Sequence, residues 1–128
     1  MARVLSYSEV QVLLPRLIEQ TEKTIRLMGK GKKVIDNILL PENEQESIES
    51  DMVELFSLWV SWVRLHGGIV RAPWLVDFDN GQGYWCWQSC ETEVQFEHSY
   101  DDNYQDRKTI SSDRKDMLSN KKTDENSD

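Results

Sequence analysis

The chain of 128 residues carries 15 Lys+Arg against 23 Asp+Glu, a formal net charge of -8, with 38% hydrophobic residues. That length holds one modest core and excludes a large multi-substrate enzyme, and the acidic balance argues against nucleic-acid backbone binding, which needs clustered cations. No apolar run reaches the roughly 18 to 20 uncharged residues that span a bilayer, since Ser57, Ser61 and Arg64 interrupt Leu55 to Leu65.

The start, Met1 to Ser6, has no apolar signal core, so no export is expected, and the expectation is a cytoplasmic protein with no membrane partner. Ser6 to Glu9 reads as a capping box opening a first helix, because a Ser hydroxyl and a Glu three residues on satisfy each other's free backbone donors. Val10, Leu13, Leu14, Leu17, Ile18, Ile25 and Met28 recur at three and four and form one stripe. Pro15 inside that stripe predicts a kink or a start near it, and Gly29 and Gly31 predict the end. Val34 to Leu39 reads as a short connector before Pro41.

A second periodic run at Ile48, Met52, Leu55, Phe56, Trp59, Val63 and His66 stops at Gly67-Gly68. Val53, Leu58, Val60 and Trp62 fall outside that stripe, so the apolar arc is too wide for a single neighbour. From Arg16 to Lys33 there are six basic and two acidic residues, and from Asp36 to Glu54 seven acidic and none basic. Each block suits its helix dipole, and side by side they suit an antiparallel helical hairpin.

After Gly68 the period becomes extended: Ile69-Val70, Leu75 to Phe78, Tyr84 to Trp87, then Val94, Phe96 and His98 in alternation. Asp79 to Gly83 holds residues that tolerate positive φ, so it joins a hairpin, Val4-Leu5 adds an edge strand, and Pro73 marks an edge or break. From Lys108 to Asp128 almost nothing is apolar beyond Ile110, Met117 and Leu118, so a disordered tail is expected. The predicted class is α+β: a helical hairpin packed with a small three- to four-stranded antiparallel sheet, a domain over 1–107 and a tail over 108–128.

Cys86 and Cys90 are too few for a disulfide framework and read as thiols. Their spacing with His98 and His66 is compatible with zinc, but the histidines lie far apart in sequence. Simpler is a small buried Cys86 and a turn Cys90. His98, near Glu97, Asp101 and Asp102, reads as a metal ligand, a general base or a hydrogen-bonded histidine at the rim of the core. His66 reads as a helix C-terminal imidazole. The tryptophans 59, 62, 74, 85 and 87 are first a core, and any excess is an interface. The phosphate-loop, dinucleotide, nucleophile-elbow and zincin patterns are absent.

Leu75 to Phe78, Trp85 to Trp87, Glu93-Val94, Phe96, His98, Asp101, Tyr104 and Arg107, with Leu13 to Pro15 upstream, together resemble a small prokaryotic and plastid family catalogued only as domain of unknown function 2203. The likeness covers roughly residues 3 to 107 and marks Asp77, Cys86, His98, Asp101 and Arg107 as candidate functional positions without giving them a role. Members of that family usually have glycine at the place of Cys90, an acid at Ser99 and glycine at Asn103, which counts against a two-cysteine metal site and a shared acid beside His98.

These readings lead to a non-enzymatic, self-associating interaction or regulatory module. It is expected to form a homodimer through Phe56, Trp59 and Trp62, with a further protein partner as an option and an Asp77–Arg107 ion pair organising the sheet's end. The alternative is a divalent-metal or small-molecule site around His98, Asp101, Asp77 and Arg107, with hydrolysis as its most ambitious form and His98 and Asp101 as its metal ligands. No cofactor is strongly implied, and a divalent metal is the one considered. A third reading, redox sensing, predicts a Cys86–Cys90 disulfide.

Overall fold

A computed structural model describes residues 3–115. Helix α1 spans Tyr7–Asn37, and its capping box is complete: Glu9 N donates to Ser6 Oγ at 3.2 Å while Glu9 Oε1 accepts from Ser6 N at 2.9 Å. Pro15 sits on the exposed face and the helix runs on through it. Gly29 and Gly31 do not end the helix as expected. A Cβ on Gly31 would meet Met52 Sδ at 3.1 Å and Ile48 Cγ2 at 3.2 Å, so this glycine lets two helices approach closely. Helix α2, Glu42–Leu65, places Glu42 and Glu44 in its first turn, where the dipole favours them, and ends at His66 and a positive-φ Gly67. The two helices form the expected hairpin.

Among the described residues five strands follow: β1 (Ile69–Ala72), β2 (Leu75–Asp79), β3 (Tyr84–Gln88), β4 (Phe96–His98) and β5 (Lys108–Thr109). Every strand pairs antiparallel with its neighbour in sequence, giving the order β1-β2-β3-β4-β5. The fold class is therefore α+β as predicted, with one strand more. The boundary at 107 moves outward, because β5 pairs with β4 and Ile110 is buried, its N–H bonded to Gln95 O at 2.9 Å. Lys108 to Lys115 thus belong to the ordered fold, and the rest of the expected tail, residues 116–128, lies outside the described residues. Val4-Leu5 is not a strand, although Leu5 N bonds Asp79 O at 2.8 Å and Leu5 O accepts from Trp85 Nε1 at 3.0 Å.

The strand period of two splits the sheet into unlike faces. Val76, Phe78, Trp85 and Trp87 join Leu14, Leu17, Trp59 and Val63 in the core against the helices. Trp59, expected at an interface, is only 2% exposed; its Nε1 donates to the buried Thr21 Oγ1 at 2.9 Å, and its ring lies 4.9 Å from that of Trp74. The core takes it because a flat, two-ringed side chain fills the space between α1 and α2 and finds a hydrogen-bond acceptor there. Phe56 and Trp62 are half-buried at the margin, Trp62 stacked on His66 with ring centroids 4.2 Å apart. The other face carries Asp77, Tyr84, Cys86, Phe96 and His98.

Candidate functional site

Three adjacent strands bring the titratable groups of that second face together. Asp77 lies opposite Cys86 in the β2–β3 ladder, and Tyr84, two residues from Cys86, lies opposite His98 in the β3–β4 ladder. A period of two puts all four on one side. His98 therefore shares its face with Phe96, while Val94 lies before β4 begins and turns into the helix-side core. Donor atoms of Asp77, Cys86 and His98 all lie within 4.8 Å of one another, and all three residues are buried.

The hydrogen bonds constrain the protons. His98 Nδ1 is 3.0 Å from Ser99 O, and a carbonyl oxygen only accepts, so Nδ1 carries a hydrogen. Nε2 then faces both Asp77 carboxylate oxygens at 3.0 Å each. Two lone-pair donors cannot face each other at that distance in a buried site, so a proton or a cation lies between them. Asp77 Oδ2 also accepts from Arg71 Nε at 2.9 Å, and the Arg71 guanidinium lies 4.9 Å over the Tyr84 ring.

Cys86 is fully buried, and burial first, then the Asp77 carboxylate, push its thiol up to about 12, with Arg107 pulling the other way. Arg107 does not pair with Asp77, contrary to expectation. It forms an ion pair with Glu91 at 2.8 Å and lies 4.0 Å over the Phe96 ring and 4.4 Å over Tyr104, because Glu91 is placed by its own bond from Gln88 N at 2.8 Å. Arg71 is the cation that Asp77 takes instead.

The segment from Ser99 to Arg107 crosses this face. The Tyr100 hydroxyl donates to Asp79 Oδ1 at 2.6 Å, which pushes its pKa up to about 12, and the Tyr104 hydroxyl donates to Gln88 Oε1 at 2.6 Å. Beneath it a cavity of about 330 Å³ opens onto Asp77 and His98, with Arg71, Asp102, Asn103 and Tyr104 in its walls. A neighbouring hollow of about 400 Å³ lies on the other side of His98, beside Glu97, Lys108 and Arg114.

Of the predicted positions, the fold unites Asp77, Cys86 and His98 and sets Arg107 beside Cys86. Asp101 is exposed and lines neither hollow; its neighbour Asp102 does. His66 is at the end of α2, its Nδ1 2.8 Å from Trp62 O, remote from the cluster in the other layer. Cys90 is an exposed free thiol at a turn, on the side of Ile18 and Thr21 of α1, while Cys86 faces away from the helices. Sequence reasoning missed Arg71 and Tyr84, and of the two acids it noted after His98 it chose Asp101, whereas the cavity wall takes Asp102. Alternation does not find Arg71, since the β1–β2 register shifts between Val70 and Ala72, where it sits.

Fold and site together define a two-layer α+β protein whose open sheet face carries a buried carboxylate, thiol and imidazole beside a small polar cavity. The chain belongs to the DUF2203 family, described as an uncharacterized conserved protein, whose pattern matches residues 3–110. No curated protein and no solved structure matches it. No helix among the described residues is long and apolar enough to cross a membrane.

Proposed function

We propose that this protein binds one divalent transition metal of the zinc class through Asp77, Cys86 and His98. The observation that carries the reading is His98: Nδ1 is committed to a backbone carbonyl and Nε2 is aimed at a carboxylate, with a thiol in reach. A backbone acceptor on one ring nitrogen is the usual way a ligating histidine is fixed in its tautomer. A mixed nitrogen, oxygen and sulfur set suits zinc better than magnesium or calcium, which prefer all-oxygen sites. Three protein donors leave a fourth position, and the adjoining cavity is where it would open. Binding would displace the Cys86 proton, since metal-bound sulfur is thiolate.

A second reading, self-association, is favoured by an apolar groove between the layers, lined by Met28, Met52, Val53, Phe56 and Trp74. Glu49 from the acidic stretch of α2 also lines it, and Met28 belongs to the basic stretch of α1. A two-fold partner would set one copy's basic flank on the other's acidic flank.

One experiment tests both: native mass spectrometry of protein made without a polyhistidine tag or chelator and equilibrated with zinc. The expected spectrum has one zinc per chain, lost in both His98→Ala and Cys86→Ser, with circular dichroism showing that the variants remain folded. A zinc-free wild-type chain after equilibration would overturn the metal reading. The same spectrum counts subunits, and a monomer at micromolar concentration would overturn self-association.

A further inference from the structure

We propose that the cavity beside Asp77 and His98 takes a small amino-carboxylic acid, its carboxylate in the fork of Arg71 and its ammonium on Asp102. The inference deepens the reading of this face as a ligand site and rests on it. Arg71 lines the cavity with a side chain still 43% exposed, although its Nε is bonded to Asp77. A guanidinium anchored through Nε keeps its two terminal nitrogens as parallel donors, and the Tyr84 ring beneath it holds the plane. Two parallel donors match the two oxygens of a carboxylate.

The opposite charge sits in the same hollow. Asp102 lines it, and among the described residues no ion pair engages that carboxylate. A second anionic group on the ligand would meet Asp102 and Asp77, so dicarboxylates and phosphate dianions are disfavoured, whereas an ammonium finds a partner. Asn103 and Tyr104 add polar wall on the same side. At about 330 Å³ the space is at the small end of ligand pockets, which run from roughly 300 to 1,000 Å³. A short amino acid fits that size and charge pattern better than a nucleotide.

The test is calorimetric titration of the full chain with glycine, β-alanine, 4-aminobutyrate, propionate and succinate, with zinc content measured on each sample. The expected result is that at least one amino acid binds ten-fold or more tightly than propionate and succinate. Arg71→Lys, which keeps a positive charge on β1 but removes the fork, should weaken that binding at least ten-fold. Asp102→Asn should bring the amino acid down to the level of propionate. No amino acid binding better than propionate, or succinate binding best, overturns the inference while leaving zinc binding standing. Amino-acid binding that persists in Arg71→Lys also overturns it. Zinc absent with amino-acid binding intact overturns the metal reading and spares this one.

Discussion

Cys90 stands in a left-handed backbone conformation, φ 83°, at the exposed turn after β3. A Cβ in that region clashes with the backbone, which costs an ordinary residue about 1 to 2 kcal/mol. Glycine escapes the clash but loses more freedom on folding, by roughly 0.5 to 1 kcal/mol. The exposed thiol approaches Ser89 Oγ at 4.0 Å, so little is lost with it. Cys90→Gly should therefore stabilise the fold by about 0.5 to 1 kcal/mol, raising Tm by roughly 2 to 6 °C for a domain of this size. Thermal unfolding followed by circular dichroism in reductant measures this, with Cys90→Ala as the control that keeps the Cβ and should gain nothing. Equal Tm values for wild type and Cys90→Gly, or an equal gain in Cys90→Ala, would refute the backbone argument. Trp74, at φ 64°, bears the same strain but anchors it by ring contacts with Phe56 and Trp59, so glycine there should destabilise.

Further outcomes follow from burial. Because the Cys86 thiol pKa is raised from 9.0 to about 12, the folded state holds this proton more tightly than the unfolded chain; the stabilisation is complete below pH 9 and lost as pH climbs toward 12. Urea midpoints at pH 8 and pH 10.5 should fall further apart in wild type than in Cys86→Ala, and iodoacetamide at pH 8 should label Cys90 but not Cys86 in the native chain. Gly68→Ala would put a Cβ 2.6 Å from Val63 Cγ1 and 2.9 Å from Val76 Cγ1, so it should cost about 1 to 3 kcal/mol by denaturant melt. Combining it with Val63→Ala should recover part of that loss.

Periodicity made the two layers legible: the α1 stripe and the β2–β3 hairpin follow from positions that repeat every three to four or every two residues. What it missed has particular physical reasons. Gly31 reads as a stop signal in one dimension, but the close approach of Met52 and Ile48 gives it another use. Lys108–Thr109 is too short and too polar to read as a strand, and it pairs because the Tyr104–Asp106 turn and the burial of Ile110 bring it to β4. In the site, alternation sends Cys86 away from Trp85 and Trp87 but does not say what it meets. That Asp77 and His98 are its partners depends on register across two ladders, a property of the pairing and not of either strand alone. The left-handed φ at Cys90 accounts for the glycine that the resembled family carries there.

The meander has a consequence for how the chain is made. Each strand pairs only with its sequence neighbour, so every group of the candidate site, from Arg71 to Arg107, comes from one continuous stretch that follows both helices. During synthesis α1 and α2 emerge first, and Trp59, Val63 and Leu17 have no sheet to cover them until β2 and β3 appear. The nascent hairpin is then a sticky intermediate whose lifetime is set by translation. Slowing elongation after α2 has left the ribosome and before β3 has done so should raise aggregation without changing the stability of the finished protein.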